Sequence, residues 1–153
     1  MDGIIHFLHL LAATIWIGGG LFLNFIFSPI FRTFQFAEQA EIAGKITGRF
    51  ALFAWPSVAV LLITGFYKLP QGVIGNISNF YSIIFNLKLI LVSLMIGLGL
   101  YLTGYLGLKM KKISAATSPQ ASSEIRKLRT IMPIISMSIV LLGVTVIFLI
   151  SII

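Results

Sequence analysis

Apolar residues run in four long blocks along the chain, separated by short stretches that hold nearly all the charge. Ile4–Ser28 contains no Asp, Glu, Lys or Arg. Phe50–Tyr67 is likewise uncharged, and its apolar character reaches back toward Ile46. Phe80–Leu108 is interrupted by a single charge, Lys88, and Ile131–Ile153 by none. About 20 apolar residues in helical form cross roughly 30 Å of hydrocarbon, so each block is long enough to span a bilayer. Barrel strands would instead show segments of about ten residues with alternating polarity. The pattern predicts an all-α integral membrane four-transmembrane-helix bundle, one domain over 1–153, with spans at about 4–28, 46–68, 80–108 and 130–153. The first block follows Met1-Asp2-Gly3, with no basic residues, and is long for a signal-peptide core, so it is expected to remain in the protein.

Composition agrees. Hydrophobic residues make up 58% of the 153 residues and charged residues 10%, and the mean hydropathy is +1.06. A soluble domain carries about a quarter charged residues, so water-soluble enzymes, disordered regulators and disulfide scaffolds are excluded. The chain has no cysteine, which removes disulfides, thiolate metal sites and iron–sulfur clusters.

Charge decides the expected orientation. Eleven Lys and Arg face four Asp and Glu, a formal net charge of +7. Arg32, Lys45 and Arg49 lie between the first two blocks; Lys109, Lys111, Lys112, Arg126, Lys127 and Arg129 lie between the last two. Cytoplasmic loops collect Lys and Arg. Basic loops 29–49 and 109–129 are therefore expected in the cytoplasm of a multi-pass cell-membrane protein, with both termini outside. No nucleic-acid partner is needed to explain the charge. Phe31–Lys45 reads as a helical extension of span two, Pro70-Gln71-Gly72 as an outer turn, Ser114–Ser123 as a mobile loop and Ser123 as a cap for span four. Asn76-Ile77-Ser78 matches a glycosylation triplet that often arises by chance.

Polar groups within hydrocarbon are costly and point to function. Both histidines, His6 and His9, lie in span one, three residues apart and so on neighbouring parts of one helix face. The stripe runs on from His9 through Ala13, Trp16, Gly20 and Asn24, a face equally suited to packing. Lys88 is the only charge inside a block and heads a second stripe, Val92, Met95, Gly99 and Thr103. At 1.5 Å per residue His9 lies about 8 Å and Lys88 about 8–12 Å below the outer surface, in one layer. For Lys88, snorkelling of the amine to the headgroups is the alternative to a functional role. His6 reads as an interfacial histidine. Two histidines and a lysine suit a structural zinc site poorly, and copper(I) would want Met or Cys close by. Haem needs one imidazole and an apolar cleft between helices, and its propionates would supply the counter-charge that Lys88 lacks. Lys88 is equally a candidate second iron ligand.

His9-Leu10-Leu11-Ala12-Ala13-Thr14-Ile15-Trp16-Ile17-Gly18-Gly19 and Phe27-Ser28-Pro29 resemble the opening helix of the copper-resistance D (CopD) family. Thr64-Gly65-Phe66-Tyr67 is similar to the Thr-Gly-aromatic exit of that family. The His-x6-Trp spacing also resembles the HemJ type of protoporphyrinogen oxidase, and both families have a helix resembling Leu87-Lys88-Leu89-Ile90-Leu91-Val92, here followed by Tyr101. The HemJ resemblance implies haem b, with iron-binding or cofactor-binding positions at His9 and Lys88, beside which His6, Trp16 and Tyr101 are further candidates. It implies electron transport or an oxidoreductase activity toward a quinol or porphyrinogen near the outer leaflet. The CopD resemblance implies copper transport or copper binding instead. The expected partners are the lipid bilayer, a redox partner or quinone, and further copies of the chain in a homo-oligomer.

Overall fold

The structure, a computed structural model, describes residues 2–31, 33, 36–69, 72–114 and 119–152. Four long helices account for nearly all of them, and no strand occurs among the described residues. Helix α1 covers the span Asp2–Ile30, α2 Phe36–Tyr67, α3 the span Phe80–Met110 and α4 Pro119–Ser151. Each is long and apolar enough to cross a membrane. With water absent from the bilayer core, every backbone N–H and C=O must be satisfied within the segment, and a helix meets that requirement. The outward faces carry exposed Phe53, Ile63, Phe80 and Phe148, as lipid contact requires.

The spans are somewhat longer than predicted, and the basic connections shorter. Span two does extend back as helix, to Phe36. The predicted loop at Ser114–Ser123 differs: α3's helical backbone continues through Ser114, and α4 already begins at Pro119, a residue pre-shaped for a first helical turn. Ser123 is therefore inside α4 rather than capping it. Residues 115–118 of that loop, and Pro70-Gln71 of the predicted outer turn, lie outside the described residues. At the basic end, Lys109 Nζ meets Glu124 at 2.9 Å and joins α3 to α4.

Small residues set how the helices meet. α1 lies between α2 and α4, and α4 between α1 and α3. A side chain at Gly19 would run into the ring of Phe50 on α2, and one at Gly20 would come 3.0 Å from Val140 on α4. Gly143 of α4 is the central contact: Ile17 of α1 and Met95 of α3 both approach within 3.1 Å of where its Cβ would be. Met95 is the most deeply buried large side chain, 2% exposed. Trp55 of α2 closes the circuit by resting on Gly99 of α3. In lipid, where association depends on close packing more than on water exclusion, glycines at such crossings let backbones approach.

Two of the helices are locally widened. α1 has π-helical turns at Thr14–Gly18 and Phe22–Phe27, and α3 has one at Tyr101–Leu106. Each contains a polar side chain bonded back to the carbonyl four residues earlier: Thr14 to Leu10, Asn24 to Gly20 and Thr103 to Gly99. Such bonds compete with the backbone N–H for its usual acceptor and bend the helix, which favours the wider turn.

The segment before α3 is held by side chains. The Asn86 amide donates to the carbonyls of Val73, Asn76 and Ser82, and its oxygen accepts from Gly75 N at 3.0 Å. Gly72 and Gly75 have φ of 73°, the left-handed region that glycine tolerates. Asn79 caps α3 by accepting from Ser82 N at 2.8 Å. Asn76 of the glycosylation triplet accepts from both the backbone N–H and the hydroxyl of Ser78, a local turn.

Candidate functional site

The site is built on α1, α2 and α3 at the end away from the basic connections. The Ile17–Gly143–Met95 contact fixes a common level on three helices. Eight residues back along α1 from Ile17 stands His9, and seven back along α3 from Met95 stands Lys88. At the α-helical rise of 1.5 Å per residue these steps are about 12 Å and about 10.5 Å, so the two residues lie at similar levels along their helices. Each heads a packed stripe: Ala12 beside His9 is buried, and Met95 and Gly99 on Lys88's face meet α4 and α2.

His9 Nδ1 lies 2.6 Å from Thr64 Oγ1 across the α1–α2 boundary. Thr64 is buried, and its hydroxyl lies 2.6 Å from the carbonyl of Val60, one turn earlier. A hydroxyl has one proton. That proton is committed to Val60, so Thr64 Oγ1 accepts from His9 Nδ1–H. In the neutral imidazole this tautomer leaves the Nε2 lone pair open. Gly65, next to Thr64, has only hydrogen where a Cβ would come 3.9 Å from His9 Cε1, so the ring lies close against α2. Thr64 thus orients the imidazole against α2.

His6 is in the opposite state. Lys68 Nζ lies 2.6 Å from His6 Nδ1. An ammonium only donates, so His6 Nδ1 accepts and the ring's proton is on Nε2. One histidine therefore presents a lone pair outward and the other an N–H. The three-residue spacing brings them to one face without making them equivalent.

Lys88 is half-buried and has no hydrogen-bond or ion-pair partner among the described residues; its ammonium rests 5.3 Å from the centre of the Phe85 ring. An ammonium over a ring face is attracted by the ring's quadrupole, but all its donors remain free for an anionic or lone-pair-bearing ligand. With His6, His9 and Lys68, it makes this end of the bundle rich in nitrogen groups.

The remaining candidates stand apart. Trp16 is half-buried in the first π turn of α1, seven residues and about 10 Å below His9. Tyr101 is thirteen residues, about 20 Å, along α3 from Lys88; it is exposed and stacks on Tyr105 with ring centres 5.4 Å apart. Sequence reasoning missed Thr64 as the partner of His9. The signal was present, since Thr64 was one of few polar residues in span two, but only the α1–α2 register shows which imidazole it serves. No group of three or more His, Cys, Asp or Glu converges among the described residues. No family model, curated protein or solved structure matches this chain.

Proposed function

We propose that the protein is a membrane-embedded haem b protein with a redox or electron-transfer role, with His9 as an axial ligand of the iron. The observation that carries this reading is the His9–Thr64 hydrogen bond. Metal-binding histidines generally donate their other ring N–H to an oxygen acceptor, which fixes the tautomer, aims the lone pair and raises ligand basicity. Haem suits the donor set because it asks the protein for one well-aimed imidazole and an apolar surround. Lys88 then has one of two roles, neutralising a propionate at the outer edge or ligating the iron through its amine. A bis-histidine site would draw its second histidine from another copy of the chain, consistent with a homo-oligomer. When bound, haem supplies one-electron redox chemistry; the chain's own residues hold the imidazole, supply positive charge and exclude water.

The similarity of the His9-x6-Trp16 spacing and of the Leu87–Val92 segment to HemJ-type proteins supports the same assignment. So does the positive-inside rule, which would place the basic connections in the cytoplasm and this site near the outer leaflet. Copper handling, the reading suggested by the CopD resemblance, would need both histidines on one ion, whereas here they bond to different partners.

The test is an absorption spectrum of dithionite-reduced protein purified from haem-replete cells. A Soret band that His9→Ala abolishes is expected. A colourless preparation, or one with stoichiometric copper and no iron, would overturn the reading.

A further inference from the structure

The geometry points to a second binding site, independent of the haem reading, in the other half of the bundle: a groove between α1 and α4 that takes the ring of an isoprenoid quinone or quinol. The groove is open along its outer side, has a volume of about 410 Å³ and is lined by Asn24 and Ser28 of α1 and by Pro133, Ile134, Ser138 and Leu141 of α4, among others. That volume lies in the range of about 300–1,000 Å³ usual for small-molecule sites. It opens seven residues, about 10 Å, on the basic side of the Ile17 level, so a ring seated there would lie in the half of the bundle nearest the basic connections, with its tail among lipid.

The hydrogen-bond inventory selects the ligand class. Both amide hydrogens of Asn24 are committed, one to Gly20 O and one to Ser136 Oγ, each at 2.8 Å. Asn24 Oδ1 therefore remains an acceptor with no donor among the described residues. Thr14, Ser93, Thr103, Ser138 and Thr145 each return the hydroxyl proton to the carbonyl four residues earlier. Ser28 makes no such bond among the described residues, which leaves its hydroxyl as a donor for a ligand. No buried side-chain polar atom among the described residues lacks a partner, which places these two free groups where a ligand can reach them. The groove thus offers one free donor, one free acceptor and no charge, among Ile134 and Leu141. A phospholipid headgroup would need a cation that the lining lacks, and an acyl chain would leave both polar groups unmatched. A quinone carbonyl accepts from Ser28; after reduction, the quinol hydroxyl donates to Asn24 Oδ1. The same two residues serve both forms.

Photolabelling with an azido-quinone in nanodiscs of defined phosphatidylcholine, followed by peptide mapping, tests this. Labelling is expected within Asn24–Ser28 and Pro133–Leu141, and excess decylubiquinone should suppress it. Ser28→Ala should weaken competition by about two- to tenfold, the loss of one neutral hydrogen bond. Ser138→Leu, whose wild-type hydroxyl bonds only within its own helix, should fill the groove and abolish labelling. His9→Ala should leave labelling unchanged, which separates this site from the haem reading. Label scattered around the lipid-facing perimeter, equal competition by dodecane, or indifference to both Ser28→Ala and Ser138→Leu in variants that elute as wild type would overturn the proposal.

Discussion

Two of the polar contacts that bond α1 to its neighbours lie at nearly equal distances either side of the central Ile17–Gly143–Met95 level, and the two differ in what they leave over. Toward one end His9 bonds to Thr64 of α2; toward the other Asn24 bonds to Ser136 of α4. Both satisfy polar atoms that hydrocarbon would otherwise penalise. The threonine consumes the proton-bearing nitrogen of the imidazole and leaves an unshared electron pair suited to a metal. The serine takes one amide hydrogen and the Gly20 carbonyl the other, which leaves the side-chain carbonyl oxygen, a poor ligand for haem iron and a good acceptor for a hydroxyl. An interhelical hydrogen bond therefore does more than join helices: the atom it occupies decides the chemistry of the atom it does not.

The sharpest way to break this contrast is to remove the imidazole. His9→Ala should eliminate the Soret band completely, whereas Asn24→Ala should leave the spectrum unchanged; a spectrum that responds equally to both would mean that the two contacts are only structural. Thr64→Val comes next. It keeps shape but removes the acceptor of His9 Nδ1–H, and loss of such an outer partner usually costs about 10–100-fold in metal affinity. Haem titration of the variant should show that weakening with the band retained at saturation. Substitution at the crossing between the two contacts should affect stability rather than ligand chemistry. Gly19→Leu would drive a side chain into Phe50, and overpacking of this kind costs about 1–3 kcal/mol; a denaturation midpoint in detergent reads it directly. The Asn24–Ser136 bond should be smaller still. A double-mutant cycle with Asn24→Ala and Ser136→Ala should give a coupling of about 0.6 kcal/mol, the average for bonds between membrane helices. The exposed Lys109–Glu124 pair marks the low end of the series: Glu124→Gln should leave the midpoint unchanged at high salt, where such pairs are screened.

The Lys88 variant sharpens the reading of the site. If the amine neutralises a propionate, Lys88→Ala should weaken haem retention while the absorption maxima stay in place. If it ligates iron, the same change should alter the spin-state bands.

Much of the architecture is legible in the one-dimensional pattern, because a bilayer imposes a length and a polarity that apolar runs must match. Helix number, the approximate positions of the spans and the similar levels of His9 and Lys88 along their helices follow from counting residues. Details near the ends were less legible. Ser123 reads as a cap because serine is a good one, but the helix starts at Pro119, whose ring fixes φ in the helical range. Asn86 falls inside the third apolar block, and the structure shows it holding the segment before α3 through four backbone groups. That role depends on a loop folding back, which periodicity does not encode.

The order of residues by itself determined that this chain forms helices long and apolar enough to span a membrane, which side chains are polar within them, and how far along its helix each one lies, since that follows from a fixed rise per residue. Only the tertiary structure decided which polar group meets which. His6 and His9 are indistinguishable in kind and three positions apart, yet one accepts from Lys68 and the other donates to Thr64. The difference comes from the register of α1 against α2, where the Phe50 ring packs onto Gly19, and a hydrogen bond has to be located in space before its leftover valence can be assigned.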